Sequence, residues 1–363
     1  MKILDIVKKS LEAVAELDYP NYEVIIVDNG STDGSYQEVK NIAEKLPVDK
    51  KVIRLERNLG FTGGNNIAYK ARDPGSKYVV LLNNDAIPLQ SSLRELVEYM
   101  ESMRDVGAAQ GVIINLETGL IDTSGGILTE LLVVHQLYQG LNPHTIKKAF
   151  YVTYADGAYS IYNVEALKKA TGYEDKIFYD EMFAYYDDCL LGLELWNTGF
   201  KVVSYPIVTS LHSRSSTFKR VKPLQLYLAT RNYTVLNEVS NSKYKLLIRS
   251  IGLRRRVLLR TLLLGIFPSM ASIISGSKVA GSAREVFRML HKAYMDGIKL
   301  GGKILRERST LIDLYRAPLI REAESSAVFK LLTGLGIDYL RRSYAVKISM
   351  LFERELYKYE AVA

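Results

Sequence analysis

The chain is poor in the features that would make its function easy to place. One cysteine, Cys189, stands in 363 residues, so no disulfide forms within the chain and a reducing compartment is expected. The stretch Met1 to Asp5 reaches an acid before any apolar segment forms, so no secretory leader is expected there. Long hydrophobic runs are missing as well. The longest uncharged run, Thr261 to Ser277, is seventeen residues, contains Pro268 and two glycines, and follows Arg254, Arg255, Arg256 and Arg260. It sits at the lower limit for a spanning helix, and reads as a membrane-surface helix, a helical hairpin, or a helix packed on the rest of the protein. Internal repeats and low-complexity tracts are absent. So are a G-x-G-x-x-G fingerprint, a Gly-Lys-Ser/Thr phosphate loop, zinc-ligand spacing and RNA-binding aromatic motifs, which argues against nucleic acid as a partner.

What is present is an ordinary globular composition, 48% hydrophobic and 24% charged, which excludes a disordered tail, a collagen-like fibre and a disulfide-stapled mini-protein. The net charge of +8 is unevenly distributed. Between Asn241 and Arg316 sixteen lysines and arginines face four acids, a local +12 that leaves the remainder at −4. A mildly acidic body thus carries a basic C-terminal third, for which an anionic membrane surface is the expected partner.

Short apolar runs alternate with helical stretches over the first 115 residues. Glu23 to Asp28 reads as a buried strand, followed by strands at Lys51–Leu55, Lys77–Leu82 and Val106–Asn115. Helices are expected at Ile6–Leu17, Ser35–Lys45, Gly64–Arg72 and Leu89–Met103, then at Asn163–Ala170 and Asp188–Thr198. Gly119 to Gly140 reads as loops and short strands. This alternation predicts an α/β protein with a mostly parallel, Rossmann-like sheet and helices on both faces.

Three strands end in polar residues. Asp28-Asn29-Gly30-Ser31 follows the first, Asn58-Leu59-Gly60-Phe61-Thr62-Gly63-Gly64-Asn65-Asn66 follows the second, and Asn83-Asn84-Asp85 ends the third. In an open α/β sheet, ligands bind at the carboxyl ends of strands. Short polar side chains there hydrogen-bond a base or ribose, glycines let the backbone approach an anion, and a terminal carboxylate suits a divalent cation on a diphosphate. Each segment alone is better read as a capped turn. Three together are harder to dismiss.

In this order the three segments, with Tyr19-Pro20-Asn21-Tyr22 before them, closely resemble family-2 glycosyltransferases, in particular a rhamnosyltransferase-like branch. The resemblance runs from about Asp5 to Asn237. It implies a GT-A fold, inverting transfer from a nucleotide-sugar donor, and a bound Mg2+ or Mn2+. Position by position, it puts Asp28, Asn29, Asn58, Gly60, Gly64, Asn65, Asn83 and Asn84 at the nucleotide-sugar, and Asp85 on the metal. Phe178 to Asp188 resembles the family's aromatic stretch, which ends in two acids, here Asp187 and Asp188. The resemblance makes Asp188 the general base for the acceptor hydroxyl. It makes His212 a second metal ligand and Arg214 a phosphate contact. Without the resemblance, Asp187 and Asp188 would read as an acidic first helical turn and His212 as a structural histidine.

Two departures stand out. Relatives carry Asp two residues after the base and Arg four further on, where this chain has Leu190 and Glu194, as if an ion pair had been removed. They also open with an apolar strand ahead of the first helix, and here that strand is missing, which we read as a mis-set start. The expected organisation is a catalytic domain over 1–240, with a nucleotide-sugar half (1–115) and an acceptor half (116–240), followed by a basic helical region over 241–363. The expected activity is transfer of a sugar to a glycan or lipid-linked acceptor at the cytoplasmic face of the membrane. A degenerate, non-catalytic binding or scaffold subunit is the alternative. A nucleotidyltransferase would want a glycine-rich loop with Lys or Arg near the first strand, and none is seen.

Overall fold

The computed structural model describes residues 3–213, 222–249 and 283–321, and the chain divides into two compact units. The first unit comprises, among the described residues, 3–126 and 136–213; the second comprises 127–135, 222–249 and 283–321.

The first unit opens with helix α1 (Ile3–Ala15), strand β1 (Glu23–Asp28), α2 (Ser35–Glu44), β2 (Asp49–Arg54) and α3 (Gly60–Ala71). It continues through β3 (Tyr78–Leu82), β4 (Ala86–Pro88), α4 (Ser92–Ser102), β5 (Val106–Asn115) and β6 (Ile121–Thr123). Beyond β7 (Gly126–Thr129) and β8 (Val134–Gln136), which belong mostly to the second unit, it resumes with β9 (Phe150–Tyr151), β10 (Tyr159–Asn163), α5 (Val164–Thr171), α6 (Asp187–Asn197) and β11 (Lys201–His212).

Residue chemistry explains the ends of these elements. The Asn163 side chain accepts the Ala166 N–H at 3.0 Å and so caps α5, which ends on Gly172 in the left-handed conformation. The apolar face of α4, Leu93, Leu96, Val97 and Met100, follows the 3.6-residue period and packs against Val106, Ala109 and Ile113 of β5. β5 is buried along its length except at Asn115, because β11 lies parallel on one edge while β10 and then β6 pair antiparallel on the other.

The larger sheet has the order β3-β10-β5-β11-β4 and is mixed, since the returning strands β10 and β4 run antiparallel to their neighbours. β1 and β2 form a separate parallel pair. The family's opening strand has no counterpart among the described residues. β1 has β2 as its one strand partner there, and β3 stands at the edge of the larger sheet. This corrects one expectation: Glu23–Asp28 is half-buried at every position rather than buried, having a strand on one side only. The helix expected from Gly64 begins at Gly60. Asn58 Oδ1 accepts the Gly60 N–H at 2.7 Å, and Asn29 Oδ1 accepts that of Leu59 at 2.8 Å, so the first turn is capped despite its glycines.

In the second unit, α7 (Lys222–Val239) and the 26-residue helix Ala283–Arg308 lie side by side and run in the same direction. Gly297 faces Arg231 and Thr234 of α7, and Gly301 faces Val235 and Glu238, so closely that a Cβ on either would stand 2.5–2.6 Å from its neighbour. Two residues of the turn between β7 and β8 are held there: Leu131 O accepts from the Tyr233 hydroxyl at 2.7 Å, and Glu130 pairs with Lys243 at 3.1 Å. Among the described residues no helix is long and apolar enough to cross a membrane. The run Thr261 to Ser277 lies outside them.

Candidate functional site

The third polar strand end and the last strand of the first unit meet. His212 pairs with Ala86 across β11 and β4, so Asp85, one residue ahead of β4, lies beside the imidazole. His212 Nε2 is 3.0 Å from Asp85 Oδ1, and the Asp85 carbonyl accepts the Ser213 N–H at 3.0 Å. On the other side of the ring, Nδ1 is 2.7 Å from Oδ2 of Asp122. Burial alone would lower the His212 pKa, but the hydrogen bonds and charges of Asp122 and Asp85 outweigh it and raise the value to about 9. The two carboxylates thus favour the protonated form of the ring when no cation is bound.

A divalent cation fits this pair with help from its substrate. Among the described residues no cluster of three or more His, Cys, Asp or Glu side chains could hold a metal ion. Asp85 and His212 supply two donors, 3.0 Å apart. Neighbouring ligands of an octahedral Mg2+ at about 2.1 Å stand about 3 Å from one another. Such ions are commonly held by one or two protein groups with waters and substrate phosphates completing the shell. A cation here would replace the imidazolium proton, as metal binding to histidine requires.

The first two polar strand ends are joined to each other. Asn29 Nδ2 donates to the Gly60 carbonyl at 2.8 Å, completing a two-point clamp on the start of α3, and a Cβ on Gly64 would lie 3.3 Å from the same nitrogen. Asn29, Gly60 and Gly64 thus meet. Asp28 accepts the Ser31 N–H at 3.2 Å and lies 3.8 Å from Arg54 Nε. Asn58 is exposed, its oxygen capping Gly60. Asn65 turns back onto the Phe61 carbonyl of its own helix at 2.8 Å. Asn83 is half-buried and its backbone N–H donates to Ala158 O at 2.9 Å, whereas Asn84 is exposed. Arg214 lies outside the described residues.

The carboxylate pair stands at the first turn of α6, preceded by an unusual backbone. Phe183, Tyr185 and Tyr186 all have positive φ, at 62°, 73° and 63°, a conformation that side-chain-bearing residues hold only under constraint from their surroundings. Some of that constraint comes from α3. Gly60, itself at φ 77°, faces Phe183 so closely that a Cβ would fall 2.4 Å from its carbonyl oxygen, and Thr62 N–H donates to that oxygen at 3.2 Å. Asn66 is the deeper tie. Its amide donates to Phe178 O and Asp180 Oδ1, both at 2.8 Å, and its oxygen accepts the N–H groups of Ile177 and Phe178, both at 3.0 Å.

Asp187 is buried, and desolvation, with the charge of Asp156 adding to it, pushes its pKa up to about 7 against the opposing hydrogen bonds from its own and Tyr185's backbone. Asp188 is raised well above the usual carboxylate range by burial, then by the charges of Asp187 and Asp156. Such a pair titrates as a unit, and protonation of one member is favoured near neutrality. Asp156 is fixed in turn: its Oδ2 accepts from Gln136 Nε2 at 2.9 Å, and its N–H donates to Gln110 Oε1 at 2.6 Å.

The departure at Leu190 and Glu194 has a local explanation. Glu194 is buried and accepts the Tyr179 hydroxyl at 3.1 Å, so a tyrosine of the preceding segment partners the acid, and Leu190 packs beside it in the core. Sequence reasoning missed Asn66, Asp122 and Asp156. Asn66 could have been flagged as one of two adjacent asparagines on α3, but Asp122 and Asp156 lie in stretches whose sequence carries no motif.

Residues 4–170 match the family described as Glycosyl transferase family 2. An uncharacterized glycosyltransferase of Methanocaldococcus jannaschii is 24% identical over 241 residues, 65% of this chain and 76% of the relative. A Methanococcus voltae protein is also 24% identical, over 236 residues, 63% of this chain and 70% of its own length. Its name is dolichyl N-acetyl-alpha-D-glucosaminyl phosphate 3-beta-D-2,3-diacetamido-2,3-dideoxy-beta-D-glucuronosyltransferase. Among solved structures, a mannosyltransferase of Pyrobaculum calidifontis in complex with GDP-Man and Mn2+ aligns with 84% of this chain and 82% of its own, at 17% identity and a TM-score of 0.47. Residues 4–170 are a glycosyltransferase family 2 domain, and the chain is a glycosyltransferase of GT-A fold.

Proposed function

We propose that the protein is an inverting, metal-dependent glycosyltransferase that moves a sugar from a nucleotide-sugar to a hydroxyl of a glycan or lipid-linked acceptor. The observation that carries this reading is the pairing, in one unit, of a carboxylate–imidazole site (Asp85, His212) with a diacid of raised pKa, Asp187 buried and Asp188 half-buried. Asp28, Asn29, Asn58, Gly60, Gly64, Asn65, Asn83 and Asn84 would receive the nucleotide-sugar, with Arg214 toward the phosphates. A Mg2+ or Mn2+ on Asp85 and His212 would neutralise the leaving diphosphate.

Asp188 takes the proton of the acceptor hydroxyl as its oxygen bonds to the anomeric carbon. The bond from that carbon to the diphosphate breaks on the opposite face, and the nucleoside diphosphate departs. Burial first, then the charges of Asp187 and Asp156, would make the Asp188 carboxylate basic enough for the task.

Lipid-linked acceptors are favoured by the name of the M. voltae relative, and a cell-envelope polymer by that of a Bacillus subtilis relative, a putative teichuronic acid biosynthesis glycosyltransferase 29% identical over 96 residues. The motifs themselves favour the rhamnosyltransferase-like branch. Peripheral attachment at the cytoplasmic membrane face is supported by the helix Ala283–Arg308, which exposes Arg288, Lys292, Lys299, Lys303 and Arg306 along one side together with Met295.

The test is turnover of a panel of nucleotide-sugars with Mn2+ or EDTA, comparing wild type with Asp85→Ala and Asp188→Asn. Loss of a general base is expected to lower kcat about 10²–10⁴-fold. Asp85→Ala should remove the metal dependence. Equal activity of both variants and the wild type would overturn the roles given to Asp85 and Asp188, and nucleotide-sugar binding without turnover in the wild type would leave a non-catalytic binding module as the better reading.

A further inference from the structure

We propose that Asp122 is a positioning residue that orients the His212 imidazole for a divalent cation, and this rests on the metal-dependent reading above. Three observations carry it. The Asp122 side chain is 4% exposed, and its Oδ2 lies 2.7 Å from His212 Nδ1 while Nε2 lies 3.0 Å from Asp85 Oδ1. The ring is thus held from behind with its far nitrogen aimed at the other candidate ligand.

The backbone is shaped for this contact. β6 pairs with β5 through Ile121↔Ile114 and Thr123↔Ile113, so Asp122 is the extra residue of a β-bulge, opposite no residue of its own. A bulge re-aims a side chain out of the regular alternation. Here it allows both Asp122 and its neighbour Thr123 to make buried polar contacts. The bulge is also pinned: the Thr123 hydroxyl donates to Gln136 Oε1 at 2.5 Å, and Gln136 in turn donates to Asp156 at 2.9 Å. β6 therefore cannot shift without disturbing the residues that fix Asp156 beside the diacid.

The chemistry gives the contact a purpose. A histidine that accepts a metal on Nε2 must carry its proton on Nδ1, and an acceptor fixed at Nδ1 sets both the tautomer and the ring angle. Asp122 occupies that place. Burying a carboxylate is costly unless it is hydrogen-bonded, and the imidazole meets that need from inside the first unit.

The experiment is a Mn2+ titration of the full chain followed by electron paramagnetic resonance of the free ion, run with Mn2+ alone and again with UDP or GDP present. Wild type, Asp122→Asn, Asp122→Ala and Asp85→Ala are compared, with thermal unfolding of each. Removing the partner of a ligating histidine is expected to weaken Mn2+ about 10–100-fold in Asp122→Ala. Asp122→Asn, whose amide oxygen still accepts from Nδ1, should fall between, and serves if the alanine variant does not fold. In turnover assays excess Mn2+ should restore kcat to both variants, a rescue that a purely structural role would not produce. Wild-type Mn2+ affinity in both Asp122 variants would overturn the inference alone. Failure of wild type to bind Mn2+, or equal binding by Asp85→Ala, would overturn the metal-dependent reading with it.

Discussion

β5 and β1 are built in opposite ways. β5 has strands on both edges and only Asn115 escapes burial, whereas among the described residues β1 has one strand partner and its every residue is half-buried. The polar groups around them differ accordingly. Near β5, Asp187 and Asp188 are desolvated and their pKa values rise; at the end of β1, Asn29 spends its side chain on backbone groups of the neighbouring loop. In the function proposed above, the diacid would be a reactive group made by enclosure, at a cost in stability. The loop held by Asn29 would be the one a nucleotide reaches, and enclosure would defeat it.

The sharpest way to break this contrast is to remove matched side chains from the two strands. Ile113→Ala in β5 empties a fully buried site and is expected to cost about 2–5 kcal/mol. Ile26→Ala in β1 removes a half-buried side chain, and about 1 kcal/mol is expected from its smaller apolar area. Chemical denaturation with a common slope measures both. An equal loss at the two positions would mean that β1 is as firmly enclosed as β5, and the comparison would fail.

A second pair tests the tie between the two sides. Asn66→Ala removes four hydrogen bonds to residues 177–180 and strands buried backbone groups, for about 2–3 kcal/mol. Asn65→Ala gives up one bond within its own helix and should cost less than about 1 kcal/mol. Hydrogen exchange should show faster opening of 177–188 in the first variant and not in the second. If Asn65→Ala proves the more damaging, the deep asparagine is not the tie.

Much of this was legible in the sequence, for a physical reason. Hydrophobic periodicity is local, so Glu23–Asp28 and Val106–Asn115 were expected with the boundaries observed. Asp85 and His212 were marked through the resemblance, and the ladder between β4 and β11 brings them together. Burial is a property of neighbours, and the alternation of Val and Ile in β1 carries no record of how many strands flank it. Asp122 was hidden for a related reason. Its partner lies 90 residues away, and the bulge that aims it depends on pairing with β5 rather than on any signal near Gly119–Gly140. Likewise, of the two adjacent asparagines on α3, only their facing in the folded helix separates Asn66 from Asn65.

The last way to test the contrast is the pH response of the diacid. Burial chiefly pushes the Asp187 pKa up to about 7, and burial and the charges of Asp187 and Asp156 raise that of Asp188 well above the usual carboxylate range. A general base works ionised, so kcat/KM should fall as pH drops through the neutral range, about tenfold per pH unit on the acid limb. Stability should move the other way. Between the unfolded carboxylate value of about 3.9 and the folded one near 7, the native state holds more protons than the unfolded chain, so unfolding becomes easier as pH rises through that window. Asp156→Asn removes a like charge without opening the site. The acid limb should then shift to lower pH and the stability lost on the way to pH 7 should shrink, both through one electrostatic cause. An acid limb near pH 4 in the wild type would show that the pair is solvated during turnover, and that the acceptor side is as open to water as the nucleotide side.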